Sequence, residues 1–285
     1  VEKLHDLGVE KLAQIVLAEA EQNAGFRRQV KAALASQSGP EAIAKLIDRR
    51  ISGLERAKSF IEWDKARAFR DDLRSLIDTI GTELGPVAPT LAIDRLLRFI
   101  ATHERVFERV DDSSGYVQDV YYQAIRMVGE LCQVLPEPDA DLMPERIMAL
   151  LGESTHGYLS DLATTVAPHL PQDTLTRWDG NLKEAIADRK AQEKTRKSDG
   201  WFYSITSQWT EMRQTIATAR GDIDLLVGLE EKKQPHMQDT LGIAAQLLQA
   251  GRASEALDWV RKPRQRRFDD ADGDVSPVRV SLEAS

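Results

Sequence analysis

The stretch ARAFRDDLRSLIDTIGTEL, residues 66–84, decides the fold class. Phe69, Leu73, Leu76, Ile77, Ile80 and Leu84 recur at steps of three and four, which places them on one stripe of a helix. Such a stripe must be covered by other apolar groups. AIDRLLRFIATHERVF (92–107) repeats the pattern with Ile93, Leu96, Leu97, Ile100 and Phe107. YVQDVYYQAIRMVGELCQVL (116–135) repeats it again with Val117, Val120, Tyr121, Ala124, Val128, Leu131 and Leu135. No alternating strand pattern competes, and the chain is expected to be all-α.

Proline sets the punctuation, because inside a helix it removes a hydrogen bond and clashes with the preceding turn. The 11 prolines, from Pro40 to Pro277, fall between the apolar-periodic stretches or at their first turns. About a dozen helices joined by short loops follow, and short loops favour antiparallel neighbours. The expected architecture is a set of stacked helical hairpins, an irregular α-solenoid. IATARGDIDLLVGL (216–229) aligns with LLQAGRASEALDWV (247–260) at an offset of about 31 residues, pairing Ala219 with Ala250, Leu225 with Ala256 and Leu229 with Val260. GRASEAL, with Ala244 and Leu247 upstream, resembles the inter-helix turn of a tetratricopeptide repeat. The segment KEAIADRKAQEKTRKSDGW (183–201) loses apolar residues and ends on Asp199 and Gly200. The expected organisation is therefore a helical-hairpin region at 1–193, a flexible linker at 194–200, tetratricopeptide-like hairpins at 201–262, and a connector at 263–285 that opens a further helix.

Composition narrows the function classes. The 285 residues are 42% hydrophobic and 29% charged, as in a folded globular protein. The net charge of -8 disfavours a broad nucleic-acid footprint, since phosphate binding needs a positive field. Cys132 is the single cysteine, so neither an intrachain disulfide nor a thiolate cluster for zinc can form. A reducing compartment, the cytoplasm, fits that usage. No apolar run approaches the length of a membrane helix, and VEKLHDLGVE lacks the blocks of a signal peptide. The start at Val1 and the apolar-periodic end VRVSLEAS point to a piece of a longer protein.

LGVEKLAQIVLAEAEQNAGFRRQV, FERVDDSSGYVQDVY and AAQLLQAGRASEALDWV together resemble a family of bacterial, mostly proteobacterial, all-helical proteins carried as a domain of unknown function. The resemblance covers most of the chain. It implies a helical, tetratricopeptide-like fold in a bacterial cytoplasm, and members that continue into more helices. It transfers no activity and no ligand residues.

Candidate sites divide between chemistry and structure. In VDDSSG (110–115), Asp112, Ser113 or Ser114 is placed to accept hydrogen bonds from the first amides of the helix starting near Tyr116, with Gly115 permitting tight geometry. The rival reading is a metal-dependent enzyme centred on Asp111 and Asp112 with His103, aided by Glu104 and Glu108. His103 shares a stripe with Ile100 and Phe107, which favours a core position. The triplets Glu2 to His5 and Glu153 to His156 have the spacing of di-iron ligands but not the long bundle helices such sites need. DDADGD (269–274) lacks the glycine and glutamate positions of a calcium loop. No G-x-S-x-G elbow, H-E-x-x-H pair, Walker loop or dinucleotide fingerprint occurs. The basic run RKPRQRR (Arg261, Lys262, Arg264, Arg266, Arg267), with Lys194 and Arg196, is the candidate electrostatic patch for an acidic partner or nucleic acid. Trp201, Phe202, Tyr203 and Trp209 are the candidate aromatic binding surface. The leading expectation is a non-catalytic helical-repeat scaffold for an unidentified protein or peptide, with no cofactor and no membrane partner. A metal-dependent enzyme and a nucleic-acid binder are its alternatives.

Overall fold

A computed structural model describes residues 6–152, 154, 157–193 and 205–262. Among the described residues the regular structure is helical, and the one departure is an isolated parallel bridge between Ile61 and Val110. The chain divides into two compact units that part between Arg220 and Gly221.

The first unit opens with α1 (Gly8–Gln22), α2 (Ala24–Ser36) and α3 (Pro40–Arg56). Asn23 separates the first two, its side chain accepting from the Phe26 amide at 3.1 Å. Gly39, at φ 96°, delivers the chain to Pro40 at the first turn of α3, where proline's missing N–H costs nothing. There follow α4 (Trp63–Thr79), α5 (Pro89–Ile100), the single turn α6 (His103–Phe107) and α7 (Tyr116–Cys132). The unit closes with the short α8 (Glu137–Asp141), α9 (Met143–Leu151), α10 (Tyr158–Val166), the long α11 (Gln172–Glu193) and α12 (Ile205–Arg220).

The stripes read from sequence meet in one core. Leu73, Leu76, Ile77, Ile80 and Leu84 are buried, as are Ile93, Leu96, Leu97 and Ile100, and Val117, Val120, Tyr121, Ala124 and Val128. α7 packs against α4, α5 and α10 at once. Two close approaches make that possible. On one side α4 runs on into a π-type turn at Ile80–Leu84, closed by the Gly85 amide on the Ile80 carbonyl at 2.8 Å. A Cβ on Gly81 would lie 2.7 Å from the Met127 sulfur, and one on Gly85 would lie 3.1 Å from a Leu131 methyl. On the other side a Cβ on Gly129 would overlap the Thr165 methyl of α10 and lie 3.0 Å from the Thr165 carbonyl oxygen.

The stretch 92–107, one apolar stripe in sequence, is two helices. The break falls at Ala101 and Thr102. Thr102 Oγ1 donates to the Phe99 carbonyl at 2.7 Å and so accepts from the Tyr121 hydroxyl at 2.9 Å, which pins the corner to α7.

The division between units also lies later than the composition shift at 194–200 suggests; that segment is outside the described residues. α12 belongs to the first unit because Ile205, Trp209, Met212 and Ile216 are buried in its core. A buried ion pair fastens α12 to α11: Arg213 Nε and Nη2 donate to the two Asp179 carboxylate oxygens at 2.7 and 3.1 Å. Both residues are under 10% exposed.

The second unit contains α13 (Ile223–Glu230), α14 (Thr240–Gln249) and α15 (Ala253–Arg261). α14 and α15 pack together. Gly251, at φ 77°, turns between them, and the Arg252 amide donates back to the Leu247 carbonyl at 2.9 Å in a left-handed cap. The glycine turns do not fall at the spacing of the sequence alignment. Gly221 and Gly251, both left-handed, stand 30 residues apart rather than 31. That shift pairs buried Leu226 with buried Ala256, and buried Leu229 with buried Trp259, whereas Val260 is 53% exposed. The one-residue error arose because Leu225 and Val260 are apolar without facing the core.

Two measurements test this packing. Gly129→Ala gains about 1 kcal/mol of helix propensity, but overlap with a fixed neighbour costs about 1–3 kcal/mol, so urea unfolding should show a net loss. Adding Thr165→Ser, which deletes the colliding methyl and keeps the hydroxyl, should restore part of it; strictly additive effects would contradict the close approach. Asp179→Ala should cost about 3–5 kcal/mol by stranding a buried guanidinium. Pairing it with Arg213→Met should recover much of that loss.

Candidate functional site

The VDDSSG loop is a helix cap. Both Asp112 carboxylate oxygens accept from the Val117 amide at 3.0 Å, and one accepts from Gln118 at 2.9 Å. Gly115 takes φ 70°, which brings Asp112 under the helix start. These amides are otherwise unpaired, and the carboxylate also meets the positive end of the helix dipole. Asp111 plays a different part. Its amide donates to the Ile61 carbonyl at 3.0 Å and extends the Ile61–Val110 bridge, while its carboxylate accepts from Ser113 at 3.3 Å. Among the described residues no three His, Cys, Asp or Glu side chains converge as metal ligands, so Asp111, Asp112 and His103 do not form such a set.

His103 is 1% exposed. Its Nδ1 lies 2.8 Å from the Ile100 carbonyl, which can only accept, so Nδ1 carries a proton, and its Nε2 lies 3.2 Å from the Ser154 hydroxyl. The Glu104 carboxylate stands 3.8 Å from that same Nε2. In a hydrolytic triad the carboxylate orients Nδ1, on the far side of the ring from the nucleophile. Here a main-chain carbonyl holds Nδ1, and the ring stands edge-on to Tyr158 with centroids 5.0 Å apart. Tyr121 stacks on Phe99 at 4.7 Å and takes the edge of Phe107 at 5.2 Å. Burial raises the Tyr121 and Tyr158 phenols well above their ordinary range, so both remain neutral donors. The group is an aromatic core packed around His103.

Two other candidates on described residues, Cys132 and Trp209, are buried. The Cys132 thiol is buried on α7 and pushed up to about 12 by desolvation, which leaves no reactive thiolate. Trp209 was expected at a binding surface but is 6% exposed, with its indole N–H donating to the Gly152 carbonyl at 3.2 Å. It faces inward because it carries the stripe of α12. Lys262 lies over the Trp259 ring, 3.0 Å from its centroid. Trp201, Tyr203, Arg264, Arg266, Arg267, Lys194, Arg196, His5, His156 and the acidic run at 269–274 lie outside the described residues.

What sequence reasoning did not find is a cleft of about 910 Å³ in the first unit, between α8 and α9 on one wall and α11 on the other. α11 has two working faces. Leu175, Trp178, Leu182 and Ile186 lie on the core side, whereas Thr174, Arg177, Asn181 and Glu184 line the opening. Trp178 and Leu182 also form the floor, and Leu142, Pro144, Met148 and Ala149 supply the opposite wall. One end is tied shut: Asp141 accepts from the Thr174 hydroxyl and pairs with Arg177 at 3.2 Å. The Trp178 indole N–H is buried with no hydrogen-bond partner among the described residues. The surface is thus concave, mostly apolar and already formed, with charges only at its edge. Such surfaces hold apolar groups of a ligand. One faint sign of it is legible in the chain, a short proline-led helix (α9) and a long helix whose polar side keeps glycine and alanine at Gly180 and Ala185.

Over residues 1–285 the chain matches the model of a family of unknown function (DUF6880). No curated protein and no solved structure matches it. Among the described residues, no helix is long and apolar enough to cross a membrane.

The capping role of Asp112 has a direct readout. Asp112→Ala should cost about 1–2 kcal/mol in urea unfolding, and added Mg²⁺, Ca²⁺ or Zn²⁺ should not shift the melting temperature of the unsubstituted protein through this loop. A metal-induced stabilisation that Asp112→Ala abolishes would reinstate the metal-site reading.

Proposed function

We propose, for a chain that belongs to this family of unknown function, the role of a non-catalytic helical scaffold that binds a protein or peptide partner in the cleft between α9 and α11. One observation supports it above others: the cleft is a large concave, mostly apolar surface among the described residues of the first unit, while the residues that suggested chemistry serve as a cap (Asp112) or as core (His103, Cys132). A preformed groove presents its apolar floor without a folding cost to the host, so the surplus of binding energy goes to the ligand.

The finer architecture follows the same reading. α3 packs on α5, α5 on α7, α7 on α10 and α10 on α12, a succession of near neighbours along the chain in keeping with an irregular α-solenoid. The α14–α15 hairpin, with Ala244 and Leu247 at small and large buried positions, has the character of a tetratricopeptide unit. A bacterial, cytoplasmic setting belongs to this proposal as well, supported by the single buried cysteine and the acidic net charge.

The test is site-specific photocrosslinking in cells. A benzophenone side chain at Ala149, exposed on the cleft wall, should yield a discrete adduct with another polypeptide. The same group at Glu130, exposed on α7, should not. Combining the Ala149 probe with Ala185→Trp, which fills the opposite wall, should abolish the adduct. An adduct indifferent to Ala185→Trp, or none at all, would refute the groove.

A further inference from the structure

The charges around the cleft specify its ligand further. The acidic residues lining it are Asp141, Glu145 and Glu184, and the basic one is Arg177. Arg177 is spent on Asp141 at 3.2 Å, at the closed end. Glu145 on α9 and Glu184 on α11 are exposed and have no ion-pair partner among the described residues. One carboxylate therefore stands on each wall of a cleft that Met148, Trp178, Leu182 and Ala185 also line.

An apolar floor flanked by two uncompensated carboxylates complements one kind of peptide. Its apolar side chains enter the groove, and its lysine or arginine residues lie alongside them at the rim. An acidic peptide would bring like charges against Glu145 and Glu184, in a protein whose net charge is already -8. A purely apolar peptide would leave both carboxylates partly desolvated and unpaired.

We infer that the α9–α11 cleft selects basic amphipathic peptide segments, in which leucine, methionine or an aromatic residue is flanked by lysine or arginine. The inference rests on the proposed groove function and adds the chemistry of the partner. Rim charges act mainly on encounter rate and selectivity, so the signature is a salt-dependent preference carried by Glu145 and Glu184.

Selection of a random 12-residue phage-displayed peptide library on the purified full chain tests it. Ala149→Trp serves as the cleft-filled control, and Glu145→Gln/Glu184→Gln as the charge-removed one. All three substitutions are at exposed positions, and circular dichroism and thermal melting verify that the variants fold. The expected result is a set of peptides with basic residues beside apolar ones. They should fail to bind Ala149→Trp, bind the double glutamine variant about tenfold more weakly at low salt, and lose that difference in 0.5 M NaCl. Peptides that need the open cleft but show no basic enrichment and no salt dependence would overturn this inference and leave the groove standing. No enrichment, or binding that survives Ala149→Trp, would overturn both.

Discussion

The first unit depends on how near α4 and α10 come to α7. Methyl-sized gaps decide it: at Gly81 and Gly85 on one side and Gly129 on the other, a single added carbon would press on a sulfur, a leucine methyl or a threonine. Glycine in a helix costs about 1 kcal/mol of propensity. The close approach offsets that cost because Met127, Leu131 and Thr165 gain dispersion contacts that a wider spacing would lose. With α7 so held, Tyr121 reaches Phe99 and the Thr102 corner, and the aromatic core has one arrangement.

The polar groups of the interior follow from that arrangement. A buried hydroxyl or imidazole needs a partner, and the helix corners supply main-chain carbonyls: Phe99 for Thr102, Ile100 for His103, Gly152 for Trp209. Residue types that elsewhere do chemistry are thereby committed to joining helices. The α9–α11 cleft is different, because its walls are joined at the Asp141 end and Glu145 and Glu184 on its rim are left to solvent. The cleft and the framework occupy different parts of the same unit, and α11 belongs to both, with one face in the core and the other on the cleft.

Much of the fold was legible because helical burial has a period. The stripes of Leu73 to Leu84, Ile93 to Ile100 and Val117 to Val128 are visible without coordinates, and each is buried. The cap at Asp112 was legible for a similar reason, since it depends on residues a few positions apart. Local patterns failed where apolar character did not report direction. Val260 looked like a repeat position and is exposed; Trp209 looked like a binding aromatic and is buried. The cleft gave almost no sign, since a concave surface arises from two helices failing to touch, and nothing in either helix alone records the gap.

The sequence by itself determined the helical class, the main buried stripes and the cap of α7, all of which depend on neighbours within a turn or two of the chain. Tertiary structure alone decided that Arg213 meets Asp179, that Ser154 meets His103, and that Glu145 and Glu184 line one cleft. Those pairs lie 34 to 51 residues apart or are set by the separation of two helices. Periodicity tells each helix which side to bury, but only packing chooses the partner it is buried against.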